Sequence, residues 1–147
     1  MEKNPTLLVV AAALVRADGA VLLQQRPAGK AMAGLWEFPG GKVEPGERPE
    51  AALARELAEE LGIVVAEAAL APAAFASAPL GERHLLLLLY LCREWAGEPE
   101  ALDAAGLKWV RPAEMHALPM PPADVPVVEA LEQVLAPPRD GAGDRAR

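Results

Sequence analysis

The sequence predicts a single α/β domain, and three of its segments carry that expectation. Residues 6–16 and the following AVLLQQR are apolar and rich in strand formers, and Asp18-Gly19 between them supplies a turn. Leu53, Leu57 and Leu61 recur every four residues, the spacing of one buried helix face. HLLLLLYLCREW (84–95) has the length and leucine density of a strand buried on both faces.

In chain order, the first two strands are expected to form a hairpin. PAGKAMAG (27–34) then reads as a loop, and LWEF (35–38) as a short extended piece ending at Pro39. GGKVEPGER holds too much glycine and proline for a helix or a central strand. PEAALARELAEEL (49–61) is the central helix, with Pro49 suited to its first position and Gly62 to the residue past its end. Arg48 is a poor N-cap for it. An extended segment begins at IVVAEAAL, while the alanine-rich stretch to Leu80 is ambiguous. After the long leucine strand come a charged loop, a strand at LKWV (107–110), and helices at PAEMHAL and DVPVVEALEQVL. The domain is expected to span residues 1–136, and PPRDGAGDRAR (137–147) reads as a disordered tail.

Length and composition exclude several classes. The chain has 147 residues, 52% of them hydrophobic, enough for one core without disulfides. Its single cysteine, Cys92, lies in an apolar run, which predicts a buried, inert thiol and fits a reducing cytoplasm. A net charge of −7 argues against a nucleic-acid-coating surface. No run reaches the roughly 18 apolar residues that span a bilayer, so no membrane partner is expected. The start MEKNPTLLVVAAALV imitates a secretion signal, but Arg16 ends the apolar stretch and no cleavage motif follows.

The chemistry points to three glutamates. On the central helix Glu59 falls about 60° to one side of Glu56 and Glu60 about 40° to the other, so all three leave one wedge beside the leucine face. A solvated acidic face is the bland reading, but this wedge adjoins a Gly40-Gly41 loop. Hard divalent cations take oxygen ligands, and glycines let backbone approach an ion closely. A cation that neutralises charge and a carboxylate that activates water are what chemistry on a polyphosphate needs.

The spacing is more specific still. Residues 41–63, GKVEPGERPEAALARELAEELGI, read G-x5-E-x7-R-E-U-x-E-E-x-G-U, with U aliphatic. Gly41, Glu47, Arg55, Glu56, Leu57, Glu59, Glu60, Gly62 and Ile63 fill every fixed position, and the segment resembles the Nudix box without departure. That resemblance implies an α/β/α sandwich around a mixed β-sheet. It implies Glu56, Glu59 and Glu60 as catalytic metal ligands joined by Gly40, with Glu47 and Arg55 bracing the box. The cofactor implied is Mg2+, for which Mn2+ can substitute, and Glu56 is the favoured general base.

The resemblance runs over residues 6–135 and is nearest to the MutT branch, through MAGLWEFPGGKVEPGE, Arg26 and PPADVPVVEAL. Within that branch the chain looks like bacterial CTP/8-oxo-dGTP pyrophosphohydrolases. They imply a nucleoside triphosphate substrate, NMP and pyrophosphate as products, and a role in nucleotide pool sanitation and so in DNA repair. By the same resemblance Arg26 and Lys42 contact the polyphosphate, although both could be solvated surface charges. Asp103 is implied as an auxiliary metal ligand, one carbon shorter than the usual glutamate. Asp124 occupies the base-reading position, where an ionised aspartate accepts and a protonated one also donates; it could equally N-cap the last helix. Phe38 and Phe75 are the aromatics expected near the base. His84 reads as structural, His116 sits in a loop-side helix with no partner visible in the sequence, and Trp36, Trp95 and Trp109 read as packing residues. Two other functions stand beside this one: a Nudix hydrolase of ADP-ribose or dinucleoside polyphosphates, and a non-catalytic nucleotide-binding module. The sequence leaves monomer and homodimer both open.

Overall fold

The computed structural model describes residues 5–136, so the expected tail over 137–147 lies outside the described residues. Two sheets form the middle layer. The first is four-stranded and mixed, in the order β4-β1-β6-β5, from Gly40–Lys42, Thr6–Leu14, Arg83–Cys92 and Ala71–Leu80. The second is antiparallel, in the order β3-β2-β7, from Trp36–Glu37, Val21–Gln25 and Gly106–Val110. Helix α1 (Pro49–Leu61) covers one face of this layer and α2 (Asp124–Leu135) the other.

Strand alternation creates the two cores. In β1, Val10, Ala12 and Leu14 turn toward Leu53, Leu57 and Leu61 of α1, while Ala11 and Ala13 turn toward Val127, Val128 and Leu131 of α2. Strand β1 runs parallel to β6 in an unbroken register from Thr6↔His84 to Leu14↔Cys92. Both strands are therefore apolar on both sides, as a covered parallel pair requires. Cys92 is fully buried there, and burial pushes its thiol pKa up.

The expected hairpin between the first two strands does not form as such. Strand β1 pairs with β4 on one edge and β6 on the other, which leaves no edge for β2. After the Asp18 turn the chain passes into the second sheet, and only the bridge Val15↔Val21 joins the two. The alanine-rich stretch resolves into a 3-10 turn at Glu67–Ala69 and the edge strand β5, with a bulge between Pro72 and Ala74. PAEMHAL also tightens into a 3-10 helix, Pro112–Ala117.

Helix α1 has the bounds its sequence predicts. Arg48 makes no side-chain cap, Pro49 opens the first turn, and Gly62 closes the helix at φ 73°, its N–H donating to the Ala58 carbonyl at 3.1 Å. Its last carbonyls hold the charged loop: Leu102 N–H donates to Glu60 O at 3.1 Å and Glu100 N–H to Leu61 O at 3.0 Å. Among the described residues no helix is long and apolar enough to cross a membrane.

Candidate active site

The glycine loop meets the glutamate helix where β4 pairs with β1. A Cβ on Gly40 would lie 2.0 Å from the Val10 carbonyl oxygen, so this close backbone approach admits only glycine. A Cβ on Gly41 would fall 2.3 Å from Glu56 Cδ, so the missing side chain is the space the Glu56 carboxylate occupies.

Glu60 is the most constrained of the three helix acids. Its Oε1 accepts hydrogen bonds from Gln24 Nε2 at 2.9 Å and from Gly40 N–H at 3.2 Å. Burial pushes its pKa up to about 8, and neighbouring Glu56 adds to the rise, while the two donors oppose it. Glu56 and Glu60 thus form a close acidic pair over the glycines. Glu59 sits farther out, its side chain 59% exposed and 3.4 Å from Arg55. Arg55 donates to both Glu47 oxygens at 2.7 and 3.0 Å, to Glu56 at 3.2 Å and to the Lys42 carbonyl at 3.2 Å. That guanidinium holds the Glu47 carboxyl down to about 2. Among the described residues no three acidic, histidine or cysteine side chains form a closed ligand cluster. Arg55 pairs with Glu56 and Glu59 instead.

Two adjoining hollows open beside this acidic pair. The smaller, about 170 Å3, is bounded by Gly40, Gly41, Glu60, Asp103, Arg26 and Lys30. Asp103 reaches it because its loop hangs on the end of α1 and on β2, where Ala105 N–H donates to Gln25 O at 2.9 Å. The larger, about 370 Å3, has apolar walls including Leu7, Leu85, Leu87, Pro121 and Pro122. Lys42 lies at its edge, and Arg26, Glu37 and Asp124 border both hollows.

Asp124 opens α2 as its first helical residue and is not its N-cap, the place taken by Ala123. Burial raises its pKa to about 7, and Glu37 raises it further. The opposing influences are the Phe38 N–H, 3.4 Å from Oδ2, and Arg26. Phe38 is buried and lines the smaller hollow. Phe75 does not join it. Alternation along β5 turns Ala74, Ala76 and Ala78 to the α2 side and leaves Phe75 69% exposed on the other face. There it lines a separate hollow with Pro72 and Leu88.

Three residues that line the smaller hollow escaped sequence reasoning: Gln24, Glu37 and Lys30. Gln24 is only 5% exposed, a polar end on the apolar strand VLLQ. Glu37 pairs with it in register across β2 and β3, and binds Arg26 at 3.2 Å. Burial raises the Glu37 pKa, against the pull of Arg26 and Gln24. The available signal was a glutamine at a core-facing position of an otherwise apolar strand. Elsewhere His84 meets Ser77 across the β5–β6 pair, and His116 binds Glu132 at 2.8 Å. Trp95 stacks on Trp109 with ring centroids 6.3 Å apart.

The chain is similar to known proteins in sequence and fold. Residues 5–131 match the family described as the NUDIX domain. A CTP pyrophosphohydrolase of Escherichia coli is 42% identical over 126 residues, covering 85% of this chain and 91% of the relative. An 8-oxo-dGTP diphosphatase of the same organism is 34% identical over 128 residues, covering 86% and 98%. The crystal structure of a MutT NUDIX hydrolase from Burkholderia pseudomallei superposes with a TM-score of 0.76 at 29% identity, over 86% of this chain and 98% of that one. With the family matched over most of its length and its box folded as loop, helix and loop around paired glutamates, this chain belongs to the Nudix family.

Proposed function

We propose that the chain is a Mg2+-dependent nucleoside triphosphate pyrophosphohydrolase that acts on oxidised or modified nucleotides. The observation that carries this is a pair of adjoining hollows, with Glu60, the neighbour of Glu56, at one end and apolar walls with the buried Asp124 toward the other. A polyphosphate suits the first end and a nucleobase the second.

The donor set fits a hard divalent cation. Mg2+ uses one or two carboxylates and takes its remaining oxygens from water and substrate phosphates, so an open site is the expected form. Glu56, Glu59 and Glu60 with the Gly40 carbonyl would hold it, and Asp103 approaches from the loop. When bound, the cation neutralises phosphate charge and eases deprotonation of water. Glu56, seated in the space above Gly41, accepts the proton of the attacking water. Water adds at phosphorus, the bridge between the α and β phosphoryl groups breaks, and NMP and pyrophosphate leave. Arg26, Lys30 and Lys42 balance the phosphate charge along the cleft.

At the base end Asp124 and the Phe38 backbone form the polar edge. With a pKa near 7, Asp124 both donates and accepts around neutrality, which suits a base edge carrying N–H groups beside an acceptor. The test is kcat/KM on CTP, 5-methyl-dCTP, dGTP, 8-oxo-dGTP, dATP and ADP-ribose, with pyrophosphate and orthophosphate read separately. Pyrophosphate release from a cytosine or oxidised guanine triphosphate, well above that from dATP, is expected. Turnover of ADP-ribose alone would refute the assignment.

A further inference from the structure

Among the described residues, Gln24 Oε1 is the one buried side-chain polar atom without a hydrogen-bond partner. Buried acceptors are nearly always satisfied, and an orphan marks a place where a partner belongs. The amide nitrogen of the same side chain is committed to Glu60 Oε1, so the oxygen is the free end. Gln24 lines the smaller hollow together with Glu60, Gly40 and Asp103. The nearby cationic group of Arg26 is already engaged by Glu37 and by the Ala31 carbonyl at 2.6 Å. No described residue donates to this oxygen, so a donor carried by the occupant of the hollow would satisfy it.

The chemistry of the occupant narrows the choice. Phosphate oxygens only accept and cannot satisfy an amide oxygen. The base edge is assigned above to Asp124 and the Phe38 backbone, which border the same hollow as Gln24. Water on a hydrated divalent cation donates strongly, and such cations keep several waters. We propose that Gln24 is a positioning residue of the cation site: its amide nitrogen fixes Glu60 Oε1, and its Oε1 accepts a hydrogen bond from a water of the cation's hydration shell. Glu60 then has one oxygen held by two donors, Gln24 and Gly40, and turns the other toward the ion. This rests on the divalent-cation reading of the site given above.

The test titrates the full chain and its Gln24→Met and Gln24→Leu variants with Mn2+ in the absence of nucleotide, counting free Mn2+ by electron paramagnetic resonance. Melting temperatures are taken with and without the ion. Removing a group that orients a metal ligand typically weakens binding about 10- to 100-fold. The expected result is a loss of that size in Mn2+ affinity, and a smaller shift of melting temperature on adding the ion. The metal-free variants lose both the unpaired acceptor and the bond donated to Glu60, two opposing effects, so their melting temperatures are compared with wild type to separate packing from ion binding. In turnover, kcat should fall while KM for the nucleotide holds. Mn2+ affinity within about twofold of wild type, or a lowered metal-free melting temperature with unchanged affinity, would reduce Gln24 to a packing residue. A wild-type chain that binds no Mn2+ would instead sink the cation reading itself.

Discussion

At the scale of single residues, Gly40 and Gly41 separate stability from catalysis. Alanine at 40 drives its methyl into the Val10 backbone, whereas alanine at 41 meets only the end of the Glu56 side chain, which can swing aside. Gly41→Ala should therefore fold with a near-native melting temperature and lose activity about 100-fold, the scale set by displacing a catalytic group by an ångström. Parallel calorimetry and steady-state kinetics check both halves, and a variant of full activity would remove Glu56 from the reaction. The box made much of this geometry legible in advance, because its spacing on a helix fixes which acids share a face. Gln24 and Glu37 stayed hidden because their roles depend on strand register, Gln24↔Glu37, and on β2 passing beside Glu60. Phe75 was misplaced for the same reason, since in an alanine-rich strand the aromatic gives no sign of which face is covered.

Among the elements, α1 joins core and site in one object. Leu57 is fully buried and stands in sequence between Glu56 and Glu59. Leu57→Ala should cost about 3 kcal/mol, within the range for a buried leucine. Urea titration measures it, and a cost under 1 kcal/mol would mean that the helix packs more loosely than its burial implies. The sequence bounds of α1 and α2 match the structure because leucine spacing, Pro49 and Gly62 are local signals. The hairpin failed because sheet membership is not local: residues 84–92 claim one edge of β1 and the glycine loop claims the other. Alanine, weakly committed to either state, left β5 open until its pairing with β6 decided it.

Over the whole molecule, the buried acid of the cleft ties global stability to pH. The Asp124 pKa rises from 3.8 unfolded to about 7 folded, so the folded state holds the extra proton between those values. Its contribution is complete below about pH 4 and is lost as pH rises through 7. Asp124→Asn should flatten the stability profile over that window, as read by chemical denaturation at a series of pH values. An unchanged slope would show that Asp124 ionises normally in the fold. Cys92 has a different consequence. It is the sole thiol of 147 residues and is fully buried at the end of β6, beside the register partner Leu14. An alkylating reagent reaches it only when the central strands part, and each chain then gains one adduct at one known atom. The protein thus carries its own clock: the growth of a single mass increment, followed in dilute or crowded mixtures alike, counts how often the middle of the sheet breathes open.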